Sequence, residues 1–290
     1  MPTDTSRAAP GRVPRLSRRH AAGSGSARSV LFTVLGEFVL PFGGSAWTSA
    51  FIDVLARLGV EEKAARQALM RTAADGWLTS QRVGRRTRWC LTPPAEHMLT
   101  EGTARIYGFS HAAQRWDGRW LLVLARAPET ERPSRHLLRT RLAWAGFGSP
   151  TPGVWVCPHP ERLAEAEQVL AEAGVSDAQI FLGTHAGGRD LASMVRQAWD
   201  LNEVEKRYEQ FLADFTRPSR GSPLACDPVA RLIELVHAWR RFPALDPALP
   251  RELLPARWRG VEAALLFDRQ HANWAPDAGA EWRRICDTER

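Results

Sequence analysis

Cationic and amide side chains recur at steps of three and four residues in one short stretch of the chain. The members of this set are Lys63, Arg66, Gln67 and Arg71. On a helix, this spacing places them on one face. Arginine and glutamine form paired hydrogen bonds with guanine and adenine edges in the major groove of DNA. We therefore expect this face to contact bases, although the nearby acids Glu61, Glu62 and Asp75 leave open an ordinary solvated surface.

A second basic group follows the same predicted helix. The pattern predicts a hairpin with strands at Leu78–Val83 and Thr87–Leu91. Its turn is expected to comprise Gly84, Arg85 and Arg86. Arg85, Arg86 and Arg88 then lie at or beside the tip, where arginine suits DNA phosphates or the minor groove. Because two separate elements carry the same excess of cations, we favour DNA binding over a solvated surface.

Three helices must position these groups. Ser26 is a suitable cap for the first, the second is expected over 48–58 and the third over 60–74. Gly59 joins the last two so tightly that they must cross steeply, as in a helix-turn-helix. With the hairpin, this predicts a winged helix-turn-helix over 26–94. Thr48 and Ser49, at the start of the second helix, are expected to contact phosphate through their hydroxyls and the helix N-terminus.

The excess positive charge is confined to the first third of the chain. The net charge is +7, and residues 1–100 carry 14 basic and 7 acidic side chains, whereas the remainder carries 25 of each. A basic patch in one domain is typical of nucleic-acid binding, although an anionic lipid or an acidic partner also fits it. Residues 1–25, rich in Arg, Ser, Gly and Pro, predict a disordered basic arm.

The rest of the chain predicts two further domains, giving an α+β protein. Alternating strand and helix patterns over 119–185 indicate a ferredoxin-like α/β sandwich whose fourth strand is not obvious. A connector at 95–118 precedes it and a long bridging helix at 186–216 follows. Residues 223–290 are expected to form an all-helical C-terminal domain with proline-rich turns.

No pattern commits the chain to catalysis. The four cysteines form no C-x-x-C pair, and Cys157, Pro158 and His159 are better explained as a loop than as half of a metal site. The longest apolar run, 29–42, is too short to cross a bilayer. We expect a non-enzymatic cytoplasmic protein without a cofactor, a metal site or catalytic residues.

Several longer stretches resemble one family of regulators. They are RSVLFTVLGEFVLPFGGSAWTSAFIDVLARLGV, ADGWL, RVGRRTRWCLT, RWDGRWLLVLARAPE, LLRTRLAWAGFGSPTPGVWVCP, AWDLNEVEKRYEQFLADF and FPALDPALPRELLPARWRGVEAALLFDRQH. With these residues the chain resembles the PaaX-type transcriptional repressors of phenylacetate catabolism, from Arg28 to about His271. The resemblance implies a homodimer that binds palindromic double-stranded operator DNA. It also implies release by an aryl-acetyl-CoA effector, typically phenylacetyl-CoA.

Such an effector requires an apolar slot for the aryl group and cations for the coenzyme A phosphates. Two short segments supply both residue types. The candidates are Trp116, Arg119, Trp120, His237, Trp239, Arg240 and Arg241. The alternative is that the tryptophans belong to the core and the arginines to the surface.

Two other functions remain open. The middle domain is similar in fold to a small ferredoxin-like CRISPR-associated subunit that holds metal through an Asp at the end of its first strand, which would make the chain a metal-dependent nuclease. Here that strand ends in Leu124, Ala125, Arg126 and Ala127. Because a two-metal nuclease needs carboxylates for its cations, this departure argues against cleavage. The third possibility is a protein-interaction scaffold that does not bind DNA.

Overall fold

The computed structural model describes residues 26–109, 116–125, 132–188, 190–216 and 227–287, with the side chains of residues 132 and 133 left out. The predicted basic arm at 1–25 lies outside these residues. The chain divides into two compact units, and each is formed by separate segments of sequence. The first unit comprises Met1–Tyr107, Pro218–Ala238 and Arg269–Arg290, and the second comprises Gly108–Arg217 and Trp239–Asp268. Helices and two antiparallel sheets make the protein α+β.

The first unit begins with helices and a small sheet. In chain order, these elements are α1 (Ala27–Val34), a π-helical turn (Leu35–Val39), β1 (Ser45–Trp47), α2 (Thr48–Arg57), α3 (Glu62–Ala74), β2 (Leu78–Val83), β3 (Arg86–Leu91) and α4 (Pro93–Tyr107). Helices α1, α2 and α3 contact one another. Parts of α9 (Pro228–Trp239) and α11 (Gly260–Asp287) complete the unit.

Helix α1 starts and ends with identifiable hydrogen bonds. The Ser26 hydroxyl accepts from the Ser29 N–H at 3.2 Å, which confirms the predicted cap. At the other end, the Leu35 N–H donates to the Leu31 carbonyl, and in the π-helical turn that follows, Leu40 donates to the Leu35 carbonyl at 2.8 Å, five residues back. This wider turn carries Glu37, whose side chain is only 10% exposed. Its carboxylate accepts a hydrogen bond from the Tyr107 hydroxyl, and its Oε1 lies 3.0 Å from His271 Nε2. Burial, followed by the Glu37 charge, raises the pKa of Tyr107 above its ordinary range.

A tight turn joins α2 to α3, as predicted. Gly59 has φ 75° and donates to Ala56, while Val60 donates to Leu55 at 3.0 Å. These two bonds form a Schellman motif, which satisfies the last carbonyls of α2 and requires the left-handed backbone that glycine adopts readily. The buried face of α3 consists of Ala65, Ala68, Leu69 and Thr72. Since these side chains are mostly small, α3 can pack closely against α1 and α2.

The small sheet has the strand order β1–β3–β2, all antiparallel. The hairpin was predicted, but its turn is shorter than expected. Val83 pairs with Arg86, so only Gly84 and Arg85 form the turn. Gly84 has φ 59°, which suits the first central position of a two-residue hairpin turn. Arg86 therefore belongs to β3, and the short strand β1, which pairs with β3, was not predicted.

Segments distant in sequence hold the first unit together. Arg57 of α2 lies 2.8 Å from the Asp53 carboxylate and 3.1 Å from those of Asp227 and Glu281. Burial alone would lower the pKa of Arg57, but these carboxylates keep it above its ordinary value. Trp282, 2% exposed, packs against Phe38 with ring centroids 5.3 Å apart. The end of α11 is therefore part of the core that supports α1 and α2.

The second unit alternates strands and helices. Its elements are β4 (Arg119–Leu124), α5 (Arg132–Trp144), β5 (Gly148–Thr151), β6 (Val154–Cys157), α6 (Leu163–Glu172), β7 (Gln179–Thr184), α7 (Leu191–Ala198), α8 (Leu201–Thr216) and the short α10 (Phe242–Leu245). The last residue of α9, Trp239, and the first part of α11, residues 260–268, also belong to this unit. Within the predicted helical region 223–290, residues 228–239, 242–245 and 260–287 are α-helical, whereas most of 246–259 is not, and the region is divided between the two units.

The sheet of the second unit is antiparallel throughout, with the order β5–β6–β4–β7. Strand β5 is the fourth strand that was not recognised in the sequence. Leu121 and Val123 face a core formed with α5 and α6, whereas Trp120 belongs to a second core with Val156, Val195 and other residues. Alternation along β4 thus buries both faces of the sheet.

The predicted bridging helix at 186–216 is instead two helices, α7 and α8. Trp199 breaks the helix with an extended backbone, φ −135° and ψ 141°. The Asp200 carboxylate then accepts from the Glu203 N–H at 3.1 Å and caps α8. No helix in the described part of the chain is long and apolar enough to cross a membrane.

We predict that Gly148→Ala destabilises the second unit, because the Trp199 ring packs directly on this glycine. An added Cβ would lie 2.4 Å from Cε2 of Trp199 and 2.7 Å from Cβ of Ala198. The expected loss in free energy of unfolding is about 1–3 kcal/mol. The matched control is Gly183→Ala on β7, where an added Cβ meets no atom within 4 Å. Urea denaturation followed by circular dichroism measures both, and equal midpoints for the two variants would contradict the packing.

Candidate nucleic-acid interface

The outward face of α3 carries the predicted base-contacting residues together. Lys63, Arg66, Gln67 and Arg71 are all exposed, and Met70 lies among them with 62% of its surface exposed. The opposite face packs into the core, so these side chains share one accessible surface. That surface presents hydrogen-bond donors and positive charge, as a helix inserted in the major groove requires.

Two acidic side chains near this surface, Glu62 and Asp75, are paired within the unit. Glu62 and Arg66 form an exposed ion pair, with Nη2 and Oε1 2.7 Å apart. Asp75, at the end of α3, accepts a hydrogen bond from Arg28. Because their charges are neutralised locally, these two acids repel a polyanion less than unpaired carboxylates would. The ion pair also holds the Arg66 side chain along the helix.

The hairpin presents a second exposed basic group. Arg85, Arg86 and Arg88 are exposed, and Arg82, also exposed, donates to the Gly84 carbonyl at 3.3 Å. The Arg88 guanidinium lies 5.9 Å from the Trp47 ring centroid, within the range of a cation–π contact. Strand β2 contacts α3. The hairpin and the α3 face are therefore parts of one packed unit.

The start of α2 is bound to the hairpin through Thr48. Its hydroxyl donates to the Thr87 carbonyl at 3.0 Å and accepts from Nε1 of Trp89 at 2.9 Å. The hydroxyl proton is thus used inside the fold, which gives Thr48 a structural role that the sequence did not indicate. A phosphate at this position would have to bind the backbone N–H groups of the helix N-terminus, where the cap residue Trp47 makes no side-chain cap bond. Ser49 is half-buried beside it.

Of the predicted effector residues, Trp116, Arg119 and Trp120 lie together in the second unit. Trp116 donates from Nε1 to the Arg119 carbonyl at 3.0 Å, and its ring meets Trp120 edge-on at 5.2 Å. Arg119 is exposed, while Trp120 is 6% exposed and its ring lies 6.4 Å from Trp199. The indole N–H groups of Trp120 and Trp199 are buried with no hydrogen-bond partner among the described residues.

The remaining predicted effector residues are divided. His237 belongs to the first unit, where Nδ1 lies 2.9 Å from the Thr33 hydroxyl. Trp239 is 1% exposed and stacks on Phe267 at 4.7 Å, so it is a core residue of the second unit. This arrangement supports the alternative that the sequence left open, namely that Trp239 belongs to the core.

Two neighbouring arginines follow Trp239. Burial, and then the charge of Arg241, lowers the pKa of Arg240 to about 10. Burial, and then the charge of Arg207, lowers the pKa of Arg241. Clustered cations of this kind repel one another and are stabilised by an anion. Arg207, which also pairs with Glu203 at 2.9 Å, was not anticipated from the sequence, because its closeness to Arg241 depends on the fold.

The segment Asp246–Pro250 forms a turn that contacts α8. Tyr208 of α8 donates to the buried Asp246 carboxylate at 2.7 Å, and the same carboxylate accepts from the Ala248 N–H at 2.7 Å. Ala248 has φ 55°, and its carbonyl lies 2.8 Å from His159 Nε2. His159 therefore has a structural contact. Burial raises the pKa of the adjacent Cys157 thiol to about 12. In the described ranges, no group of three or more His, Cys, Asp or Glu side chains is arranged to hold a metal ion.

Comparisons with known proteins agree on one family over most of the chain. Family models match residues 26–94 (PaaX-like protein), 113–195 (PaaX protein central Cas2-like domain) and 199–284 (PaaX-like protein C-terminal domain). The chain is 32% identical over 268 residues to the transcriptional repressor PaaX of Escherichia coli K12, covering 87% of this chain and 82% of that one. An uncharacterized Mycobacterium tuberculosis protein, Rv0674, is 21% identical and matches with a TM-score of 0.60 over 89% of this chain and 99% of its own. The last likeness concerns the fold alone.

We predict that Thr48→Val loosens the hairpin and destabilises the first unit. The substitution keeps the shape of the side chain but leaves the Trp89 N–H and the Thr87 carbonyl without this partner, at a cost of about 1–3 kcal/mol. Thr100→Val is the matched control, since its hydroxyl makes an exposed bond to the Glu96 carbonyl on α4. Urea denaturation measures the free energy of unfolding, and amide hydrogen exchange at residues 86–91 measures the local opening of β3. If both variants behave alike, Thr48 does not hold the hairpin.

Proposed function

Because this chain belongs to the PaaX family, we propose that it is a non-enzymatic, DNA-binding transcriptional repressor. In this proposal Lys63, Arg66, Gln67 and Arg71 of α3 enter the major groove. Arg85, Arg86 and Arg88 hold the hairpin against the backbone or the minor groove. The N-terminus of α2, at Thr48 and Ser49, binds a phosphate through its backbone N–H groups.

One observation carries this proposal. The face of α3 opposite its small, buried side chains is exposed and holds the cations and the amide together. The same unit presents the exposed arginines of the hairpin. Two helices, α1 and α2, that support the outward α3 and a hairpin wing favour assignment of 26–94 as a winged helix-turn-helix. The repressor name of the E. coli relative adds independent support.

We assign 119–185 to a ferredoxin-like domain. The element order is β–α–β–β–α–β and the strand order β5–β6–β4–β7 places the first strand of this domain beside its third and fourth, which suits that fold. Because β4 ends at Leu124 and Ala125 follows, with no carboxylate there to hold a metal ion, we propose that this domain does not cleave DNA but supports dimerisation or effector binding. A homodimer on a palindromic operator would place its two α3 helices about 34 Å apart, or a multiple of that distance.

We propose that an aryl-acetyl-CoA thioester such as phenylacetyl-CoA binds the second unit and releases the DNA. Trp116, Trp120 and Arg119 supply apolar rings beside an exposed cation. The clustered Arg240 and Arg241 suit the phosphates of coenzyme A, because an anion relieves the charge repulsion that, after burial, lowers their pKa values. Trp239 and His237 fit this role less well, since one is stacked in the core and the other pairs with Thr33.

We predict that the double variant Arg66→Ala, Arg71→Ala loses its preference for a specific duplex. Fluorescence anisotropy compares a duplex selected from a random pool with a scrambled one over a salt series. The expected loss of discrimination is at least about tenfold, because a paired base contact contributes about 1–3 kcal/mol. The control removes the same charge from the second unit through Arg196→Ala and Arg259→Ala, two exposed arginines paired with acids. Unchanged discrimination in the first variant would refute the role of α3, and wild-type binding that ignores salt would favour a scaffold.

We predict that Arg119→Ala and Arg241→Ala each raise the phenylacetyl-CoA concentration needed to release the selected duplex. Loss of a charge-assisted phosphate contact should raise it about tenfold or more. Arg196→Ala is the control, and coenzyme A without the aryl group tests the apolar slot. If the wild type binds the duplex but phenylacetyl-CoA does not release it, this effector is wrong while the repressor role stands.

A further inference from the structure

Three large apolar side chains are exposed in the described part of the first unit. They are Phe42 at 38%, Met70 at 62% and Val83 at 55%. Phe42 is partly covered, because the guanidinium of Arg283 lies 5.7 Å from its ring centroid. The other two belong to α3 and to the hairpin, the elements that carry the exposed cations. Of these three side chains, Met70 therefore has the largest exposed fraction, and its contribution to the free energy of unfolding is small.

The neighbours of Met70 restrict the kind of surface that can cover it. Arg66 and Gln67 lie four and three residues before it, one turn away on the same side of the helix, and Arg71 follows it. An apolar partner would cover Met70 but offer no acceptors to Gln67 and Arg71, and Arg66 would keep only its bond to Glu62. A surface of phosphates would accept hydrogen bonds from the donors but would place the apolar Met70 side chain beside charged groups. The partner must offer acceptors with an isolated apolar group between them.

The major groove of DNA has this composition. Base edges present acceptors such as N7 and O6 of guanine, and the thymine 5-methyl is the apolar group among them. We propose that Met70 contacts a thymine methyl and is a specificity-determining residue of the operator complex. The inference rests on the proposed function of α3. It adds a base preference that the hydrogen-bonding residues alone do not give.

Helix geometry limits where this thymine lies. Cβ atoms one turn apart are about 5–6 Å from each other, whereas successive base pairs are about 3.4 Å apart. The thymine is therefore within about two base-pair steps of the base that Arg66 or Gln67 contacts. The long, unbranched thioether of methionine adapts its shape to such a contact without a fixed rotamer.

The test replaces each thymine of a selected duplex with deoxyuridine, one position at a time. Deoxyuridine lacks the methyl but keeps the hydrogen-bonding edge. The wild type should lose affinity about threefold to tenfold at one position per half-site, as expected for burying a methyl and its contacts. Met70→Ala should bind the thymine duplex correspondingly more weakly and be insensitive to deoxyuridine at that position.

Two variants make the result specific to Met70. Met70→Leu should restore part of the sensitivity, because it restores apolar contact. Val83→Ala, at the hairpin, removes another exposed apolar side chain and should leave the deoxyuridine pattern of the wild type unchanged. Alanine at an exposed helix position does not threaten folding.

The possible failures separate the two proposals. Specific binding in which no thymine is sensitive, or in which Met70→Ala keeps the sensitivity of the wild type, overturns the Met70 contact and leaves the repressor role intact. Selection that yields no preferred duplex for the wild type overturns both. Loss of sensitivity at one shared position in Met70→Ala alone supports the contact.

Discussion

The close approach of α3 to α1 and α2 is the constraint on which the first unit depends. Alanines at 65 and 68 leave room for the neighbouring helices, and the Gly59 turn satisfies the end of α2 while redirecting the chain. Because that side of α3 is fixed in the core, the orientation of its other side follows. The exposure of the α3 cations therefore follows from the packing of the two alanines and from the Gly59 turn. The cations themselves do not determine it.

Hydrogen bonds then fix the hairpin to the same frame. Thr48 connects α2 to β3 through two bonds, and Trp47 supports Arg88 through its ring. A rigid base is important for a tip rich in arginine, since arginine loses conformational entropy when it binds. The half-buried cluster of Glu37, Tyr107 and His271 similarly joins the π-helical turn after α1 to α4 and α11 by polar contacts. The surface proposed for DNA thus rests in part on residues, such as Trp47 and Trp89, to which no DNA contact is assigned.

Local patterns predicted much of this, because periodicity and turn chemistry act over a few residues. The three helices, the hairpin and the exposure of Arg66 and Arg71 followed from spacing alone. Contacts across the fold did not. The short β1 and β5 gain their stability from neighbouring strands, and the break at Trp199 accompanies its packing on Gly148. The Thr48 bonds and the separation of His237 from the other effector candidates likewise depend on residues far apart in sequence.

The discontinuous first unit has a consequence for synthesis. Arg57 needs Asp227 and Glu281, and Phe38 needs Trp282, yet a ribosome makes α1 and α2 long before α11. Until then, the nascent helices expose apolar surface and a partly compensated cation. The second unit, whose strands are made in between, can form its sheet first. The translation order therefore delays completion of the core beneath the cationic surface until α11 has been made.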